Sequence, residues 1–80
     1  MDATQRGTDA TVVRLNVALL DELAALRGAN TNPKRAVLFG TDRATVVRWR
    51  HRRCLPTLDA AYRVARTLGT SVDQLIEAAA

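Results

Sequence analysis

Phe39-Gly40-Thr41-Asp42-Arg43-Ala44-Thr45-Val46-Val47-Arg48-Trp49-Arg50-His51-Arg52-Arg53-Cys54-Leu55-Pro56 is the stretch around which the rest of this chain is read. Gly40 tolerates the left-handed backbone of a tight turn. Asp42 is a good helix N-cap, because its carboxylate can accept from a free backbone N–H two or three residues on. The spacing then predicts a helix over about Arg43 to His51. Projected at about 100° per residue from Arg43, residues Thr45, Val46 and Trp49 share one side. Arg43, Ala44, Val47, Arg48 and His51 share the other. A basic loop follows, Arg52-Arg53-Cys54-Leu55, and Pro56 breaks it.

Working outward, the segments on both sides read as helices that hold this one. Val12, Leu15, Leu19, Leu23 and Leu26 follow i, i+3, i+4 spacing and predict a first helix from a cap at Thr8 or Asp9 to about Arg27. Val13, Val17 and Leu20 widen its apolar side, and Gly28 ends it. Thr31 or Asn32 caps a short second helix, Pro33 to Phe39, with proline in the first turn. Thr57 caps a fourth helix with a buried stripe of Leu58, Ala61, Tyr62, Ala65 and Leu68, stopped by Gly69. Ser71-Val72-Asp73-Gln74 has capping-box spacing and starts a short fifth helix with Val72, Leu75 and Ile76. The expected fold is all-α: one domain of five short helices over residues 9–80, the second and third forming a helix-turn-helix, behind a flexible N-terminus, residues 1–8.

Composition narrows the function. Eighty residues make one small domain with a modest core. His51 is the single histidine and Cys54 the single cysteine, so neither an internal disulfide nor a zinc cluster is expected, and no cofactor or metal. No nucleophile, base and orienter set is visible, so an enzyme is not expected, nor a small-molecule ligand. No run approaches the ~20 apolar residues of a membrane span, and the N-terminus lacks a signal peptide's basic start, which leaves a cytoplasmic setting as the expectation. Trp49, in phase with Val46, is expected in the core; Cys54 is expected as a small buried apolar group and His51 as solvent-facing.

The net charge of +4 conceals an asymmetry. Residues 34–66 hold nine Lys or Arg and two acids, a local excess of +7, while both flanks are slightly acidic. Eleven of the twelve basic residues are arginine, whose planar fork suits phosphate and guanine. A merely solvated helix face would mix acids with bases; the outward side of the third helix has none after its cap. In a DNA major groove, Arg43 and Arg48 reach guanine O6 and N7, and Ala44 and Val47 touch thymine methyls. Arg50, Arg52 and Arg53, at or past the helix end, are placed for phosphates, as are Asn32 and Lys34 at the start of the second helix.

From about Asn32 to Ile76 the chain resembles the lambda-repressor-like helix-turn-helix family, the Cro/repressor or Xre type. The features that carry this are Ala36 four residues before Gly40, the run Gly40 to Trp49, Pro56 seven residues after the tryptophan, and Leu58 to Leu75 without a gap. The resemblance implies five helices, with base readers at Arg43, Ala44 and Arg48 and Val47 close by. It implies a phosphate contact at Asn32, and a turn at Thr41 and Asp42 that approaches the backbone. Three positions depart from the pattern: Arg50 where the family often has Glu, Arg52 where it often has Gly, and Arg35 in place of an apolar residue. The family's acid commonly pairs with an arginine on the first helix, so Arg50 is expected to form a reversed pair, with Glu22 favoured over Asp21. The implied function is a sequence-specific regulator of transcription in a bacterial cell, most like a phage Cro or immunity repressor that occupies an operator. An antitoxin that also binds its own promoter is the alternative, and a recombination directionality factor a more distant one. The expected partner is double-stranded DNA. A second copy of the chain is the other candidate, with monomer and dimer both open.

Overall fold

The computed structural model describes residues 12–79; the expected flexible N-terminus and the caps Thr8 and Asp9 lie outside them. The chain is mostly helical, but not all-α. A strand, β1 (Val13–Leu15), precedes α1 (Val17–Ala25), α2 (Asn32–Phe39), α3 (Arg43–Arg50), α4 (Leu58–Leu68) and α5 (Val72–Leu75), and a second strand, β2 (Ile76–Ala78), follows α5 directly. No helix among the described residues is long and apolar enough to cross a membrane.

The strands correct the expected first helix. β1 and β2 pair antiparallel, with Val13 opposite Ala78, Arg14 opposite Glu77 and Leu15 opposite Ile76. Asn16 N–H donates to the Leu75 carbonyl and Ala79 N–H to that of Val12, each at 2.8 Å. An ion pair between Arg14 Nε and Glu77 Oε2, 2.9 Å, lies across the exposed face. The pairing spans more than sixty residues of chain, so local periodicity does not report it. Adjacent β-branched valines suit a strand edge better than a helix. Asn16, not Thr8 or Asp9, then caps α1, its Oδ1 accepting from Leu19 N–H at 3.1 Å.

The later boundaries follow the local chemistry. Thr31, Asp42, Thr57 and Ser71 each accept from the N–H three residues on and cap α2, α3, α4 and α5. Leu15, Leu20, Ala24, Phe39, Val46, Trp49, Val64, Leu68 and Leu75 form the buried core. Trp49 leans on Phe39 with ring centroids 6.5 Å apart, tying α3 to α2.

Two expected stripes shift. In α4 the buried residues are Ala60, Ala61, Val64, Ala65 and Leu68, while Leu58 is 79% and Tyr62 59% exposed. The alanines let α4 approach its neighbours closely, and the two larger side chains fall to the rim of the face. In α1, Leu20 and Ala24 are buried, with Val17 and Leu23 packed against the core, whereas Val12 and Leu26 are exposed. Cys54 is exposed, contrary to expectation; Pro56 is the loop residue that turns inward.

Candidate nucleic-acid interface

α2 and α3 are joined by Gly40-Thr41-Asp42. Gly40 has φ 71°, and the turn closes α2 with Gly40 N–H bonded to the Val37 carbonyl and Thr41 N–H to that of Ala36. Asp42 Oδ1 accepts from Thr45 N–H at 2.7 Å. That backbone hydrogen bond, aided by the Thr45 hydroxyl and the Arg48 charge, holds the Asp42 carboxyl below its usual range. A folded-state value lowered in this way means the cap's contribution is present above the ordinary value of 3.8 and is lost as pH falls through the lower folded one.

Val46 and Trp49 are buried and set the rotation of α3. The opposite side is open. Arg43, Ala44, Val47, Arg48, His51 and Arg53 line one shallow concavity of about 450 Å³. All four residues expected to read bases are therefore on one surface, with two further basic or titratable side chains and no acid in its lining. Arg48 Nη2 donates to Thr45 Oγ1 at 3.1 Å, which draws its guanidinium toward the N-terminal end of α3.

No family model, curated protein or solved structure matches this chain. The chemistry of the surface therefore has to come from its own geometry.

The residues expected at phosphates fall into two groups. Lys34, Arg52 and Arg53 are exposed, and Thr41 is half-buried in the turn. Arg52 takes a left-handed backbone, φ 57°, and closes α3 as Gly40 closes α2: Arg52 N–H bonds to the Trp49 carbonyl and Arg53 N–H to that of Arg48. Arg52 thus adopts the conformation that Gly40 has at the end of α2, without being glycine.

Arg50 and Asn32 belong to a network. Arg50 Nε donates to Asp21 Oδ1 at 3.0 Å and Nη2 to Oδ2 at 2.7 Å, a two-pronged ion pair between α3 and α1. The reversed pair therefore exists, but with Asp21 in place of the favoured Glu22. α1 begins at Val17, and its phase turns Asp21 toward α3 while Glu22 faces solvent. Hydrogen bonding to Asp21 raises the Arg50 pKa further above its already high ordinary value. Asn32 Oδ1 accepts from Arg50 Nη1 at 3.3 Å and from Arg35 Nη1 at 2.9 Å. Arg35 is buried; its Nη2 donates to the Asn30 carbonyl at 3.3 Å, and its Nε stands 3.5 Å from Asp21 Oδ1 without hydrogen-bond geometry. Sequence reasoning did not place Asp21 and Arg35 together. The available signal was Arg35 itself, a charge beside buried Ala36, which needs an acid nearby to be tolerated inside.

Proposed function

We propose that this chain is a sequence-specific double-stranded DNA-binding regulator of transcription, with α2 and α3 acting as a helix-turn-helix and α3 entering the major groove. The observation that carries the reading is the concavity of Arg43, Ala44, Val47, Arg48, His51 and Arg53, free of acids, on a helix whose other side is locked by Val46 and Trp49. A groove reader needs a rigid helix, small residues where the backbone approaches, and long hydrogen-bond donors at one or two base pairs. Val46 and Trp49 supply the first, Ala44 and Val47 the second, and Arg43 and Arg48 the third. The exposed cations Lys34, Arg43, Arg48, Arg52 and Arg53 supply the sequence-independent attraction to phosphates that positions such a helix. The role that goes with this reading is operator occupancy against polymerase, in the manner of a small phage repressor.

The test is a binding selection from a randomised duplex library, followed by affinity measurements on the enriched site and a scrambled one. The reading expects a defined motif of a few base pairs, guanine-containing, bound more tightly than the scramble. Enrichment of no motif would remove sequence-specific recognition, and no binding to any duplex at low salt would remove DNA as the partner.

A further inference from the structure

Asn32 is the first residue of α2, and its side-chain amide has one end spoken for. Arg35 Nη1 and Arg50 Nη1 both donate to Oδ1, from two different helices. A carboxamide has an accepting oxygen on one side and a donating NH2 on the other. Two guanidiniums on one side settle which way it points, because the flipped amide would aim two donors at two cations. The Asn32 Nδ2 makes no hydrogen bond among the described residues, Asn32 is half-buried, and Nδ2 is not among the sealed-off polar atoms there, of which Arg35 Nε is the single one.

The outward donor stands where the helix offers few others. Lys34 N–H is taken by Thr31 Oγ1, Arg35 N–H by the Thr31 carbonyl, and Pro33 has no N–H. Beneath the amide, two guanidiniums share the one carboxylate of Asp21, leaving an excess of one positive charge. An anion seated at Nδ2 would meet a fixed donor backed by that charge. Arg35 itself is an expensive way to fill the interior. It is buried, with Nε unbonded, so the cost of taking its charge out of water is only partly offset by its partners.

From this we propose that Arg35 is a positioning residue for DNA-backbone recognition: with Arg50 it holds the Asn32 oxygen inward, so that the Asn32 NH2 is presented to one phosphate of the duplex. The proposal rests on the DNA-binding reading above and assigns a role to a buried side chain that does not touch DNA.

The experiment measures affinity for the selected duplex and for a scrambled duplex, with thermal melts, for the 80-residue chain and for Asn32→Asp, Asn32→Ala, Arg35→Met and the Asn32→Ala/Arg35→Met double variant. Asn32→Asp keeps both acceptors for the arginines but removes the outward donor. It should weaken binding to both duplexes about tenfold, the scale of a hydrogen bond to a charged group, while the melting temperature holds or rises. Arg35→Met should also weaken binding, whatever its effect on the melting temperature, and should cost binding nothing more once Asn32 is alanine. Arg35→Lys keeps the charge but not the fork, and should reproduce the loss if the methionine variant does not fold. Asn32→Asp binding as tightly as the parent, or an Arg35 substitution costing the same factor with and without Asn32, would overturn the proposal and leave the groove reading standing. A parent chain that bound neither duplex would remove the DNA reading itself, and this role with it.

Discussion

Arg52 holds its backbone in the same left-handed region as Gly28, Gly40 and Gly69, each just past the end of a helix. For a residue with a Cβ this costs about 1–2 kcal/mol, and Arg52 bears that cost beside Val13, Arg14 and Leu15 of β1. Arg52→Gly is therefore expected to raise the melting temperature by several degrees, at about 4–8 °C per kcal/mol for a domain of this size. It should at the same time weaken binding to any duplex, read as a smaller salt dependence; an unchanged melting temperature would mean that Arg52 is not strained. Arg43 and Arg48 make the opposite kind of contribution. Each alanine substitution should cost about 1–3 kcal/mol on the selected site and relax preference at one or two base pairs, with little change in stability because both are exposed. If both variants kept the parental preference in a repeated selection, the groove assignment would be wrong. At this scale the site was partly legible. The reversed charge at Arg50 could be seen to need an acid on the first helix, but Asp21 and Glu22 are adjacent. Which one answers depends on the phase of α1, and that phase is set by Asn16 and a strand with a remote partner.

Each helix from α2 onward begins at a side chain that caps it, and that chemistry is local enough to read from neighbouring residues. Strand pairing is not local, and so the sequence of Val13–Leu15 reads equally as helix: its apolar spacing fits both periods, and only Ile76–Ala78 decides between them. The face of α4 departs from its periodicity for another reason. Periodicity admits Leu58 and Tyr62 beside the true stripe, and close packing through Ala60, Ala61 and Ala65 excludes them. These corrections separate two sets of substitutions. Leu15→Ala, in a strand residue only 1% exposed, should cost about 2–5 kcal/mol, whereas Leu58→Ala should stay within about 0.5 kcal/mol. Urea unfolding of both would check this, and comparable losses would return Leu58 to the core. Trp49→Ala should cost about 3–5 kcal/mol, because it opens a cavity against Phe39 and releases α3 from α2. In so small a domain that is most of the stability, and the variant should be largely unfolded at room temperature. A Trp49→Ala chain that melted near the parental temperature yet lost DNA binding would make the tryptophan a contact residue instead.

Over the whole molecule, charge and structure are divided the same way. The two ends of the described chain meet in the β1–β2 sheet, where Arg14 and Glu77 neutralise each other, and both flanking segments are slightly acidic. The excess positive charge is confined to residues 34–66, which include most of α2, all of α3, the loop after it and most of α4. Within that region the arginines are not equivalent. Arg50 is held by both oxygens of Asp21, so its charge is spent inside the protein, while Arg52 and Arg53 have exposed side chains beyond the last turn of α3. Counterion release then distinguishes them. Each phosphate neutralised contributes about 0.9 to the slope of log affinity against log salt, whatever the sequence of the duplex. The Arg52→Ala/Arg53→Ala double variant should therefore lower the magnitude of that slope by about 2 and weaken selected and scrambled DNA by the same factor. Arg50→Ala should leave the slope nearly unchanged and lower the melting temperature instead, because it strips the Asp21 carboxylate of its main partner. Titrations at four or five salt concentrations would resolve the two patterns. A slope that fell with Arg50→Ala but not with the double variant would mean that Arg50 leaves Asp21 for a phosphate when DNA binds, and that the ion pair between α1 and α3 belongs to the free protein alone.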